Sequence, residues 1–146
     1  MKSLLKIAAL IFFCSALTSC SVSQKTKIIS PEGLTQEINW TAEERAKDLA
    51  IRTLKTTLEA SYHVIRLATL EPPHTHDTHD AVVFMRKGKV QISVAGKTYI
   101  MKPGDVVEIP RGVIHWAKNL DRNASEVFAV FTPPFDGKDR HLVENK

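Results

Sequence analysis

The stretch GDVVEIPRGVIHWAKN, residues 104–119, decides how this chain of 146 residues is read. It is entered through Pro103-Gly104, where proline presets φ and glycine tolerates a positive φ, the chemistry of a tight turn. A β-branched run from Val106 to Ile109 follows and reads as a strand. Pro110 and Gly112 then bend the chain so that His115 turns inward, and Asn119 is placed to hydrogen-bond loop backbone beyond it. Outward from this stretch the same grammar repeats from Tyr62 onward. The runs HVIRLAT, AVVFM, VQISV, TYIM and EVFAVF are separated by PP, KGK, AGK, KPGD and NLDRNAS. Short strands with a turn signal every eight to twelve residues or so are the mark of an all-β sandwich or barrel.

A second stretch, PPHTHDTHDAV at residues 72–82, puts three of the six histidines into six positions. His74 and His76 are one residue apart, and side chains alternate along a strand, so both point to one face. If that face looks into a barrel, two imidazoles converge, and a third ligand has to come from a distant segment. His115 is the natural source. The remaining histidines read differently: His63 as a strand residue and His141 as a solvated tail residue. Trp116 points away from the face that His115 uses. Glu108 and Arg66 lie on strands and read as exposed strand charges, with pocket lining as the alternative.

The two stretches together resemble the paired motifs of the cupins. Gly104, Pro110, Gly112, His115 and Asn119 match the second motif at every position, and His74, His76 and Gly88 fit the first. The resemblance covers about residues 62–135 and implies a small jelly-roll β-barrel. It also implies a divalent metal held by two histidines and a glutamate of the first motif and one histidine of the second. The departures lie in the first motif. Ala68 stands where its first glycine belongs, and the spacing back from Gly88 puts Ala81 at the glutamate position. Alanine cannot ligate. The fourth ligand is then His79, which shares strand parity with Ala81, or Asp80, or water; His79 is preferred on parity. The expected metal ligands are therefore His74, His76, His79 and His115. Imidazole suits Fe, Zn, Ni and Cu, so these become better expectations than Mn. Asp77 and Asp80 are expected to fix histidine tautomers, and Glu108 is the best guess for a proton shuttle.

The fold hosts many chemistries, so it names none. One expectation is a small-molecule dioxygenase or isomerase built on the metal. The alternative is a non-enzymatic module that binds a metal or small ligand, and whether the chain is an enzyme stays open. A homodimer through an edge strand fits the architecture.

The rest of the chain bounds the setting. Lys2 and Lys6 precede an apolar run, Ile7 to Leu17, too short to span a bilayer as a helix and right for a secretory signal. It ends in Leu17-Thr18-Ser19-Cys20, which resembles the bacterial lipobox, with Cys20 as the acylated residue. On that reading residues 1–19 are a signal peptide and Cys20 anchors the protein in the cell envelope. Ser21 favours the periplasmic side of the outer membrane over the inner. No disulfide is then available, because Cys14 leaves with the signal and Cys20 carries lipid. The formal charge of +4 includes Lys2 and Lys6. The remaining charges are mixed in sign without a basic block, so nothing argues for a nucleic-acid partner. Residues 20–40 read as a tether. Residues 41–60 read as one amphipathic α-helix, opened by a capping box at Thr41 and Glu44 and carrying Ala46, Leu49, Ala50, Leu54 and Leu58 on one face. Residues 61–146 read as the barrel, with PPFDGKDR at 133–140 as a lid or an edge-covering arm.

Overall fold

The computed structural model describes residues 27–29, 31 and 35–143. The signal peptide, the lipobox and Cys20 lie outside the described residues. Among the described residues no helix is long and apolar enough to cross a membrane. The chain divides into two compact units, one up to Asn39 and one from Trp40 onward. In the first, β1 (Lys27–Ile29) and β2 (Thr35–Glu37) pair antiparallel. The stretch read as a plain tether therefore contains a small hairpin, and Pro31 and Gly33 fall between its strands.

The second unit is all-β apart from one short helix, α1 (Ala42–Ala46). Its strands are β3 (Leu49–Thr56), β4 (Ser61–Leu67), β5 (Leu70–Thr75), β6 (Asp80–Lys87), β7 (Val90–Val94), β8 (Lys97–Met101), β9 (Val106–Ile109), β10 (His115–Asn119), β11 (Ser125–Thr132) and β12 (His141–Leu142). They form two five-stranded antiparallel sheets, ordered β12-β5-β10-β7-β8 and β3-β4-β11-β6-β9. Both sheets feed one core: Leu67, Ala81, Met85, Ile109, Ala129 and Phe131 from one, Val90, Ile92 and Met101 from the other. The period-2 pattern explains the choice of faces, since Val90 and Ile92 of β7 are buried two apart, as are Ala129 and Phe131 of β11. Each large buried aliphatic side chain contributes roughly 1.5–3 kcal/mol.

The expected helix over 41–60 is corrected. Its start is right: Thr41 Oγ1 accepts from Glu44 N at 3.1 Å, and Glu44 Oε2 accepts from Thr41 N at 2.7 Å. The Glu43–Lys47 pair forms as well, at 3.7 Å. But the helix stops at Ala46 and buries none of its residues, and 49–56 is a strand paired to β4. Ile51, Thr53 and Thr56 are β-branched and lose rotamer freedom in a helix. Inward and outward residues alternate here: Ala50, Arg52 and Leu54 are covered, while Ile51, Thr53 and Lys55 are exposed. Leu58, placed on the apolar helical face, is 92% exposed. Arg52 pairs with Glu44 rather than Asp48, whose carboxylate accepts from Thr69 Oγ1 at 2.7 Å.

Two motif residues act as expected. Asn119 Nδ2 donates to Ala68 O and Asn123 O, both at 2.9 Å, and its Oδ1 accepts from Ser125 Oγ at 2.7 Å. Gly88 turns the chain between β6 and β7 at φ +87°, and a Cβ there would lie 3.0 Å from Ser125 Cα. Strain and collision add, so Gly88→Ala is expected to cost about 3 kcal/mol. A urea titration checks this, and a variant within the error of wild type overturns it.

Candidate metal site

His74 and His115 are direct partners across the β5–β10 ladder, which brings their side chains to within van der Waals reach. His76 follows His74 at i+2 and stays on the same face. Its carbonyl accepts from Gly112 N at 2.7 Å, so the bend before His115 is tied to the His74–His76 strand. The three rings meet, with centroids 4.1 Å apart for His74–His115, 5.0 Å for His74–His76 and 5.4 Å for His76–His115. One nitrogen from each lies within 4.8 Å of the others, and all three residues are buried.

The tautomers are fixed by protein carbonyls. His74 Nδ1 faces Pro72 O at 2.9 Å, His115 Nδ1 faces Val113 O at 2.9 Å, and His76 Nδ1 faces Asp139 O. A carbonyl only accepts, so each Nδ1 must be the one that donates. Each neutral ring then keeps its lone pair on Nε2. Asp77 and Asp80 do not take this role: Asp77 accepts from Thr75 Oγ1, and Asp80 is tied to Arg111.

The structure leaves His79 outside the cluster. Its Nδ1 faces the Asp139 carboxylate and its Nε2 faces Pro134 O at 3.1 Å. Both ring nitrogens are thus engaged by the arm, and His79 is not one of the three histidines that converge. Strand parity misled here because the position lies before β6 begins, in the turn that the C-terminal arm clamps. Asp80 is also excluded, as a half-exposed partner of Arg111. Glu108 is exposed on the outer side of β9 and does not line the cavity. His63 is core, with Nε2 2.7 Å from Ser61 Oγ and Nδ1 3.2 Å from Thr53 Oγ1.

Two features had no counterpart in the sequence reading. One is Glu71, whose Oε1 lies 3.5 Å from His74 Nε2 and which lines the same cavity. The other is the arm after Pro133. Its Asp139 carboxylate accepts from Asp77 N and Thr78 N, both at 2.9 Å, from Thr78 Oγ1 at 2.8 Å, and from His79. Phe135 stacks on Phe131 with centroids 5.0 Å apart and meets the His76 ring edge-on at 5.3 Å. β12 then pairs with β5, Leu142 opposite His74. Asp77, Asp139 and His141 also cluster, but Asp139 spends its oxygens on the 77–79 turn and the other two residues are exposed.

The cavity around the triad measures about 70 Å³ and is walled by apolar side chains including Val90, Ile92, Met101, Ile109, Val127 and Phe131. A larger open groove of about 830 Å³ runs along β8 and β9, but no histidine lines it. The chemistry therefore belongs to the smaller cavity. Burial holds the His74 pKa down to about 3, helped by the nearby His115. Burial also holds His115 down to about 4, against the bond to Val113, and lowers His76. Burial pushes Glu71 up to about 7, with Arg140 opposing.

These shifts predict how the metal-free protein responds to acid. Below about pH 6.5 the unfolded chain takes up protons that folded His74 and His115 refuse, which costs about 2 kcal/mol each between pH 7 and pH 5. His63 and His76, both lowered by burial, act in the same direction. Glu71 has the opposite sign, because the folded state keeps a proton that the unfolded chain releases, and it offsets roughly one histidine. The expected net result is a loss of about 2 kcal/mol on going from pH 7 to pH 5. It is read from urea midpoints in the presence of a chelator, and an equal or higher midpoint at pH 5 contradicts it.

Comparison with known proteins agrees with this geometry. Residues 64–131 match the family model described as "Cupin domain". An uncharacterized protein of Aquifex aeolicus is 32% identical over 102 residues, which cover 70% of this chain and 84% of that one. Germin-like protein subfamily 2 member 2 of Arabidopsis thaliana is 34% identical over 73 residues, 47% of this chain but only 33% of that protein. Among solved structures, KdgF from Halomonas sp. superposes with a TM-score of 0.58 at 22% identity, covering 61% of this chain and 82% of that one. Two opposed antiparallel sheets around a three-histidine cluster give the chain a cupin-like jelly-roll fold, with the match to the cupin domain family lying within residues 64–131.

Proposed function

We propose that this protein is a lipid-anchored cell-envelope cupin that holds one divalent transition metal on His74, His76 and His115 and uses it on a small molecule. The observation that carries this reading is the locked triad: three buried imidazoles whose Nδ1–H groups are spent on backbone carbonyls, leaving three Nε2 lone pairs in one apolar cavity. Carbonyl partners of this kind orient ligating histidines and raise their basicity. A donor set rich in imidazole favours Fe, Zn, Ni or Cu over Mn. The metal would supply Lewis acidity toward an oxygen of the bound molecule.

The chain itself sets what can bind. The cavity is small and largely apolar, which favours a small molecule beside the triad. Phe131, Ile92 and Ile109 keep bulk water out, and Glu71 is the one carboxyl among the described lining residues able to take or give a proton. We favour oxygenation or isomerisation of a small molecule. The competing reading, a non-catalytic metal or small-ligand binder, gains from the outward placement of Glu108.

The test is elemental analysis of the purified protein before and after reloading with Fe(II), Zn(II), Ni(II), Cu(II) or Mn(II). A single imidazole-preferring metal per chain is expected, and a protein that takes up none overturns the proposal. Oxygen uptake and proton-exchange assays on small hydroxy and keto compounds then separate catalyst from binder. The anchor rests on Leu17 to Cys20 and its outer-membrane placement on Ser21. Loss of acyl label and of membrane association in Cys20→Ala checks the anchor. A homodimer would pair through β8, an edge strand whose Tyr99 and Ile100 are exposed, and light scattering tests it.

A further inference from the structure

We propose that Glu71 is the carboxylate ligand of this centre, supplied from the strand residue three before His74 in place of the acid that Ala81 lacks. The inference rests on the reading that the triad holds a metal. It begins with a parity problem. Residues 71 and 74 are three apart, so on a regular strand they face opposite sides of the sheet. The β5–β10 pairing is not regular. His74 lies opposite His115 and Glu71 opposite Ala117, so three steps of β5 answer two steps of β10. The extra residue falls at Pro72-Pro73, where two prolines give no N–H to a ladder and a bulge is their tolerated setting. The bulge turns Glu71 onto the same inner face as His74, and both line the cavity.

The contact they make there is unusual. His74 Nδ1 must donate to Pro72 O, so the Nε2 that faces Glu71 Oε1 across 3.5 Å carries a lone pair. Two acceptors thus face each other in a cavity walled mainly by apolar side chains. No hydrogen-bond donor reaches the Glu71 carboxylate among the described residues. Arg140 Nε forms an ion pair with Glu71 Oε1 at 3.8 Å, beyond hydrogen-bond distance, and that nitrogen makes no hydrogen bond of its own. Facing acceptors need an electropositive centre between them, either a proton on the carboxyl or a metal ion. His74 belongs to the three-histidine cluster, so a metal held there lies beside Glu71, whose carboxylate stands outside the converged nitrogens in this side-chain arrangement and joins them by turning its flexible side chain. The carboxylate then enters from the histidine-bearing sheet. Ala81 lines the cavity from the opposite sheet, on β6, so the open coordination positions face a different wall.

The two explanations part at Glu71→Gln, because a glutamine amide donates to His74 Nε2 as a protonated glutamic acid would but is a poor metal ligand. Wild type, Glu71→Gln, Glu71→Asp and Glu71→Ala are compared as full chains, with metal-free circular dichroism and thermal melting to confirm folding. The readouts are Co(II) affinity by competition and the Co(II) ligand-field spectrum. Metal ligation predicts that Glu71→Gln and Glu71→Ala each lose at least about tenfold in affinity and shift the spectrum, with partial recovery in Glu71→Asp. Unchanged affinity and spectrum in Glu71→Gln overturn the assignment while leaving the triad intact. A wild-type protein that binds no Co(II) overturns the triad reading and this inference with it.

Discussion

Replacement of His115 by alanine is expected to empty the metal site, whereas replacement of His79 is not. His115 contributes one of three converging nitrogens from a strand separate from the other two, and removing a ligand costs more than the 10- to 100-fold or so that orienting partners are worth. Metal affinity in His115→Ala should therefore fall by at least about 100-fold. His79→Ala should stay within about tenfold of wild type, since that ring only braces the arm through Asp139 and Pro134. Competition titrations on both variants, with circular dichroism to confirm folding, provide the comparison. Equal losses would restore His79 to the ligand set.

Asp139→Ala should be the most destabilising change in the arm. The carboxylate is buried and accepts from two backbone amides, a hydroxyl and an imidazole. Burial opposes its ionisation, but these bonds outweigh it and hold the carboxyl far below the usual range. Hydrogen bonds to a charged group contribute roughly 1.5–3 kcal/mol each and are not additive, so a total of about 3–5 kcal/mol is expected. Asp139→Asn keeps one acceptor oxygen and should fall between. Since the Asp139 carbonyl also orients His76, metal affinity should drop with stability. A urea midpoint for Asp139→Ala within ~0.5 kcal/mol of wild type would show that the arm is merely laid over the barrel.

What could be seen in the sequence was set by range. The strands from Val64 to Phe131 and the turns at Gly88 and Gly104 follow from local residue chemistry and spacing, while the joining of His74 and His76 with His115 follows from the resemblance to the paired cupin motifs. The helix over 41–60 failed because a true capping box at Thr41 was extended through β-branched residues, whose burial alternates in twos. His79 lies apart from the triad because strand parity does not hold before β6 begins. Glu71 was missed for the converse reason: parity was assumed through Pro72-Pro73, the pair that marks the bulge. The partners of Asp139 lie about sixty residues upstream, and no local pattern announces a contact of that span.

The carbonyl that sets the His76 ring belongs to a residue 24 positions after His115. During synthesis all three imidazoles leave the ribosome before the group that orients one of them. A chain halted between those points has its full set of nitrogens and two of the three carbonyls that align them, those of Pro72 and Val113, while the His76 ring still waits for the arm.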